Sequence, residues 1–422
     1  MYKKIVLDNG VRVVLERMSS LRSVALGVWE NVGSRCEQKG EEGFSHFIEH
    51  MMFKGTRKRS ASQISNEIDA MGGEMNAFTT HEATAFYTKV IDQQTPAALD
   101  LLADLFHHSR FGTKDIEKEK QIVLEEIRTV QDDPEDFIHE LHAKDVLGNH
   151  PLGKPILGTT RCLKGLDRSH ILRYKRKHYR PENTIVTVAG NFSMVQLLDQ
   201  INEYFGHWKG VSSRKEEQAG GTDPWPVHAH VRQSVHRKPL EQVHVCVGFQ
   251  GLPIGSPDRY VAYVANTILG GGVSSRLFQE VREKRGLAYT IYSHLSSYLD
   301  GGTLTIYAAT KPTEVHAVID QICKETRKLG KKLVSTTELE RTKTQLKGNL
   351  LLGLEGTYGR MNKLAKDELY QGRHVTLQEI IKGIDRITPD QIRQLCQKLL
   401  DLNEFVVTAL GPLPKKGLPK WG

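Results

Sequence analysis

Residues 43–53 read Gly43-Phe44-Ser45-His46-Phe47-Ile48-Glu49-His50-Met51-Met52-Phe53. Phe44, Phe47, Ile48, Met51 and Met52 recur at i, i+3, i+4, i+7 and i+8, the spacing of a helix that buries one face. His46, Glu49 and His50 fall at i, i+3 and i+4 on a neighbouring face. The two histidines are one turn apart, so both imidazoles can reach one ion. Glu49 lies beside them and can reach a water on that ion. Gly55 is placed to end the helix. Two neutral imidazoles suit zinc, whose catalytic sites take three protein ligands and keep one position for water. A carboxylate beside such a site can accept the water proton and return it to a leaving amine. The order H-x-x-E-H is the inverse of the commoner H-E-x-x-H.

A third ligand should be a carboxylate or histidine from another element. The stretch 117–128 offers Glu119 and Glu126, seven apart on one face of a long helix, with Ile116, Val123, Ile127 and Val130 alongside. Taken alone, these glutamates read as a solvated face.

The rest of the chain narrows the class. It has 422 residues, 39% hydrophobic and 26% charged, which excludes collagen-like and wholly disordered chains. Lys+Arg 58 against Asp+Glu 50 gives a net charge of +8, thin over this length. The basic runs at 54–59, 173–177 and Lys415-Lys416 are short and lack interleaved aromatics, so they read as solvated faces and nucleic acid is not an expected partner. No apolar run approaches the roughly 20 residues of a membrane span, and the apolar stretch after Met1 is too short for a signal peptide. Five scattered cysteines without a C-x-x-C fit a reducing cytoplasm.

The clearest break lies at 209–234, rich in charge, Gly and Pro without an apolar period, and reads as a linker. It separates residues 1–208 from residues 235–422. The two halves share a layout: an apolar strand (23–29 and 244–249), helices, a glycine-marked pair of strands, a helix at 96–108 or 314–329, a long charged helix at 114–130 or 337–354, and a late strand at 184–190 or 404–411. Strands mixed with helices and hairpin-like neighbours imply an α+β fold used twice, each domain a mostly antiparallel sheet packed against helices. Residues 260–266 stand where the H-x-x-E-H helix would repeat, without a histidine pair.

His46-Phe47-Ile48-Glu49-His50 followed by Glu126 resembles the zinc peptidases of the pitrilysin, insulysin and mitochondrial-processing-peptidase family. The chain as a whole, from Leu7-Asp8-Asn9-Gly10-Val11-Arg12-Val13 to Leu410-Gly411-Pro412, is similar to the short bacterial processing-protease-like members. The resemblance implies that His46, His50 and Glu126 bind zinc and that Glu49 is the general base for zinc-bound water. It makes Glu119 a supporting acid that orients a ligating histidine. Gly72-Gly73-Glu74-Met75-Asn76-Ala77-Phe78-Thr79-Thr80 resembles the family strand to which an extended substrate adds itself, with Asn76 and Ala77 positioning the peptide. Arg282 and Tyr289, in Arg282-Glu283-Lys284-Arg285-Gly286-Leu287-Ala288-Tyr289, resemble the pair that binds the substrate backbone and steadies the oxyanion. The preceding Gly270-Gly271-Gly272 lacks the arrangement of a phosphate-cradling loop.

Larger family members close four such domains as a clamshell. A two-domain chain is therefore expected to form a homodimer, in which Arg282 and Tyr289 of one copy complete the zinc site of the other. The expected activity is endopeptidase cleavage of unstructured peptides or of leader- or presequence-like segments in the cytoplasm. The alternative is a catalytically silent structural or peptide-binding member of the same fold. His139 and His142, at i and i+3, read as a surface pair, and the acidic stretch 132–136 has no assigned role.

Overall fold

The computed structural model describes residues 1–209, 233–402, 404–413 and 418. Most of the expected linker, residues 210–232, therefore lies outside the described residues. Numbered in chain order, the strands are β1 Tyr2–Val6, β2 Arg12–Arg17, β3 Ser23–Glu30, β4 Glu74–Thr79, β5 Thr84–Ile91, β6 Thr184–Gly190, β7 Gln233–His236, β8 Val243–Gln250, β9 Ala288–Ser297, β10 Gly302–Thr310 and β11 Val406–Leu410. The first eight α-helices are α1 Phe44–Met52, α2 Ala61–Ala70, α3 Thr95–His108, α4 Thr113–Asp132, α5 Pro134–Leu147, α6 Thr160–Gly165, α7 Arg168–His178 and α8 Met194–Phe205. They are followed by α9 Arg259–Gly270, α10 Val315–Lys331, α11 Thr336–Gly353, α12 Thr357–Gln371, α13 Leu377–Asp385 and α14 Pro389–Leu399. No described helix is long and apolar enough to cross a membrane.

The chain folds as two compact units that do not follow its halves. Unit 1 comprises Met1–Thr129, Lys154–Gly221 and Leu352–His374; unit 2 comprises Val130–Gly153, Thr222–Leu351 and Val375–Gly422. Helix α5, from the first half, thus belongs to unit 2, and α12, from the second, to unit 1.

Unit 1 holds a six-stranded sheet in the order β1-β2-β6-β3-β5-β4. Neighbours pair antiparallel except β2 with β6. Central strands β3 and β6 are buried on both faces, which is why Ser-Val-Ala-Leu-Gly-Val-Trp-Glu and Thr-Ile-Val-Thr-Val-Ala-Gly read as near-continuous apolar runs. One face packs Leu26, Val28, Phe86 and Val188 into a core with Phe47, Met51, Leu102 and Phe106 of the local helices. The other face carries Val14, Ala25, Trp29 and Ile185, covered by Met361, Leu364 and Ala365 of α12. Gly27 is required there, because a Cβ would lie 2.7 Å from Trp29 Nε1 and 3.0 Å from Met361 Sδ.

Unit 2 repeats the plan with a five-stranded sheet, β7-β11-β8-β10-β9, in which only β7 and β11 are parallel. The order β2-β6-β3-β5-β4 and the order β7-β11-β8-β10-β9 are one topology, so the expected repeated α+β domain is present. Its main core joins Val245, Val247 and Ile306 to Val264, Ile268, Ile319 and Leu395. On the opposite face Ile138 of α5 packs with Cys246, Tyr307 and Leu410.

Three readings change here. His142 is 3% exposed, its Nδ1 against Thr408 Oγ1, and His139 lies against the hydroxyl of Tyr292, so the two are not a surface pair. The acidic stretch 132–136 starts α5: Asp133 caps it, accepting from the backbone of Glu135 and Asp136, with Pro134 at the first helical position. The basic runs are not wholly solvated. Arg59 bonds Glu67, Asp100 and Asp104, and the Lys175 ammonium lies over the rings of Phe106, Phe111 and Tyr179.

Candidate metal centre

Helix α1 starts without a side-chain cap of its own. Its first residue is preceded by Gly43 at φ +96°, where a Cβ would also lie 2.6 Å from the Leu157 carbonyl oxygen. The free backbone N–H groups of Gly43 and Ser45 donate instead to the two oxygens of buried Glu37, both at 2.8 Å. The apolar stripe Phe44, Phe47, Ile48, Met51 and Met52 is buried as its spacing requires, which leaves His46, Glu49 and His50 on the remaining face.

The two imidazoles converge. His46 Nε2 and His50 Nε2 are 3.2 Å apart, and Glu126 Oε2, from α4, lies 3.8 and 3.5 Å from them. Among the described residues this is the one group of three histidine, cysteine or acidic side chains whose ligand atoms all lie within 4.8 Å of one another.

The donor set fits zinc. Ligands at about 2.05 Å in a tetrahedron stand roughly 3.3 Å apart, close to the separation of the two ring nitrogens. His50 Nδ1 lies 2.9 Å from Glu119 Oε1, a contact that places a proton on Nδ1 and makes Nε2 the nitrogen that can ligate. Glu119 Oε2 in turn takes Lys54 Nζ at 2.8 Å. Burial would raise the Glu119 carboxyl, but its bonds to His50 and Lys54 hold it low and ionised. Burial, helped by the neighbouring His50, pushes His46 down to about 3 and keeps it neutral, as a ligand must be. For His50, burial pulls downward but the Glu119 bond and the charges of Glu126 and Glu49 outweigh it.

Glu49 projects beside this group. Thr79 Oγ1 donates to Glu49 Oε2 at 2.6 Å. Burial raises the Glu49 carboxyl and the charge of Glu126 adds to this, against the Thr79 bond and His50. Thr79 ends β4, the edge strand of the sheet, which packs against α1. Asn76 and Ala77 lie mid-strand, and Asn76 Oδ1 accepts from the backbone N–H of Ala77. The outer side of β4 pairs with no strand among the described residues.

The unit 1 candidates thus come together: His46, Glu49, His50, Glu119 and Glu126 around one point, with the strand of Asn76 and Ala77 alongside. Arg282 and Tyr289 belong to unit 2 and are neighbours there. Residues Phe278–Glu283 form a π-helical turn, from which the Arg282 guanidinium stacks 4.7 Å over the Phe278 ring and 4.8 Å over the Tyr289 ring. In the β9–β10 pairing Ala309 faces Thr290 while Thr310 faces Ala288, so Tyr289 is bulged out and 73% exposed. Sequence reading missed Glu37, Lys54 and Thr79, whose roles rest on contacts between separate elements.

Residues 12–160 match the family described as Insulinase (Peptidase family M16), and residues 165–346 match Peptidase M16 inactive domain. A Bacillus subtilis protein named "Uncharacterized zinc protease YmxG" is 40% identical over 98% of this chain and 98% of its own. The chain belongs to peptidase family M16. A Streptomyces coelicolor relative, also named an uncharacterized zinc protease, is 39% identical over 98% of this chain and 90% of its own. Solved structures share the M16 fold: a Helicobacter pylori protease (TM-score 0.92, 22% identity, 98% of this chain and 99% of that one) and a chain of complex III2 from Candida albicans (TM-score 0.82, 22% identity, 97% and 95%).

Proposed function

We propose that this M16 member is a zinc-dependent endopeptidase that cleaves peptides bound in extended form. The observation that carries the reading is the convergence of His46, His50 and Glu126 on one point with Glu49 beside it. Zinc held by those three side chains would lower the pKa of a bound water and polarise the scissile carbonyl. Glu49 then takes a proton from the attacking water and returns it to the leaving amine nitrogen as the peptide C–N bond breaks. Glu119 keeps the His50 ring in the tautomer whose Nε2 can ligate. The free edge of β4 supplies backbone groups for an added strand, at Asn76 and Ala77, which favours unfolded segments of varied sequence such as leader or presequence-like peptides. Arg282 and Tyr289 would bind the substrate backbone and steady the oxyanion, contributed by a second copy in a cytoplasmic homodimer.

Zinc analysis with a fluorogenic peptide assay tests the reading. Bound zinc and chelator-sensitive cleavage are expected; neither would leave a silent structural or peptide-binding protein. Mixing Glu49→Gln with Tyr289→Phe subunits tests the dimer, and no regained activity would overturn completion of the site by a second copy.

A further inference from the structure

We infer that Thr79 is the positioning residue of the general base, and that the strand offered to substrate is also the element that sets the orientation of Glu49. This rests on Glu49 being the base. The hydroxyl of Thr79 donates to Glu49 Oε2 at 2.6 Å, while Oε1 makes no hydrogen bond among the described residues. One carboxylate oxygen is tethered and the other is left to exchange a proton. A glutamate side chain has three rotatable torsions, and a single short bond to a fixed donor selects among its rotamers.

The donor is itself fixed. Thr79 is the last residue of β4 and pairs with Thr84 across the hairpin. The turn that follows is closed by Thr80, whose N–H donates to the Ala83 carbonyl and whose hydroxyl accepts from Ala83 N–H at 3.0 Å. That turn is strapped to residues 33–37. The N–H groups of Ser34 and Arg35 donate to the carbonyls of Thr80 and His81, and Ser34 Oγ lies 2.8 Å from His81 Nδ1. A Cβ on Gly33 would lie 2.3 Å from the Thr80 carbonyl oxygen, so only glycine allows this approach. The strap ends at Glu37, which holds Gly43 and Ser45 at the start of α1.

The bonds therefore close a ring: α1 start, Glu37, residues 34–35, the 80–83 turn, Thr79, Glu49, and back to α1. The Thr79–Glu49 bond is the link in that ring that touches the chemistry. A peptide pairing with β4 would stiffen the strand that carries Thr79, so strand addition would also hold the base, and loss of the hydroxyl should appear in turnover more than in peptide binding.

The experiment compares Thr79→Val, which keeps the shape and removes the hydroxyl, with Thr79→Ser, which keeps the hydroxyl. The expected result is a kcat about 10- to 100-fold lower for the valine variant, with KM, zinc content and Tm unchanged, and near wild-type kcat for the serine variant. An unchanged kcat in Thr79→Val, or an equal loss in Thr79→Ser, overturns the inference. A crystal structure of metal-free Thr79→Val gives a readout independent of turnover: the Glu49 carboxylate should leave its wild-type position, and a carboxylate that stays put refutes the tether. Absence of chelator-sensitive cleavage in the wild type would instead refute the reading of the site as a peptidase.

Discussion

Helices α1 and α9 are the same piece of architecture with and without candidate metal ligands. Buried Phe44, Ser45, Phe47, Ile48, Met51 and Met52 in unit 1 match buried Val261, Ala262, Val264, Ala265, Ile268 and Leu269 in unit 2, position for position. In that register Tyr263 stands for His46, Asn266 for Glu49 and Thr267 for His50. The long helices match as well. Ile116, Glu119 and Lys120 of α4 correspond to Leu339, Thr342 and Lys343 of α11, and the ion pair Lys120–Glu117 recurs as Lys343–Glu340. Asn349 then falls where α4 has Glu126. Unit 2 keeps the buried stripe and the sheet order and lacks all five acidic and imidazole groups. The fold depends on the stripe, which leaves the neighbouring face free to carry candidate metal ligands in one unit and none in the other.

The largest effect expected from this comparison is on giving unit 1 the side-chain type of unit 2. Glu49→Gln should lower kcat about 10²- to 10⁴-fold while zinc content and peptide binding persist, measured by steady-state cleavage and metal analysis; equal cleavage by variant and wild type would remove Glu49 as the base. Next comes Glu119→Gln, expected to weaken zinc binding about 10- to 100-fold by loosening the His50 ring, read by competition with a chromogenic chelator. The smallest effect belongs to unit 2. Asn266→Ala should leave zinc content and cleavage unchanged, and a loss of either would mean that α9 is not chemically silent.

Much of this contrast was legible in the amino-acid sequence, because α1 carries both its apolar stripe and its polar triplet within nine residues. The spacing of α4 offers Glu119 and Glu126 together, and only the family resemblance separates Glu126 as the ligand, since both also read as part of a solvated face. The repeat was legible through matching strand and helix spacings. Helix α5 was not read at all, since Ile138, His142 and Leu147 are its only buried side chains and make no continuous stripe. Thr79 is legible in the sequence only as part of a strand; its bond to Glu49 spans 30 residues of chain, and no local period encodes it.

The exchange of α5 and α12 has a genetic consequence. A gene fragment ending at residue 209 would encode the whole H-x-x-E-H helix and Glu126, yet omit the helix that covers the second face of its own sheet. Val14, Ala25, Trp29, Ala85, Ile185 and Ala189 would be bared together. Losing Met361 and Leu364 alone forfeits roughly 1.5–3 kcal/mol each, a large share of what holds a domain folded. A first copy cut from the second would therefore lack part of its own fold, although the two are recognisable as repeats.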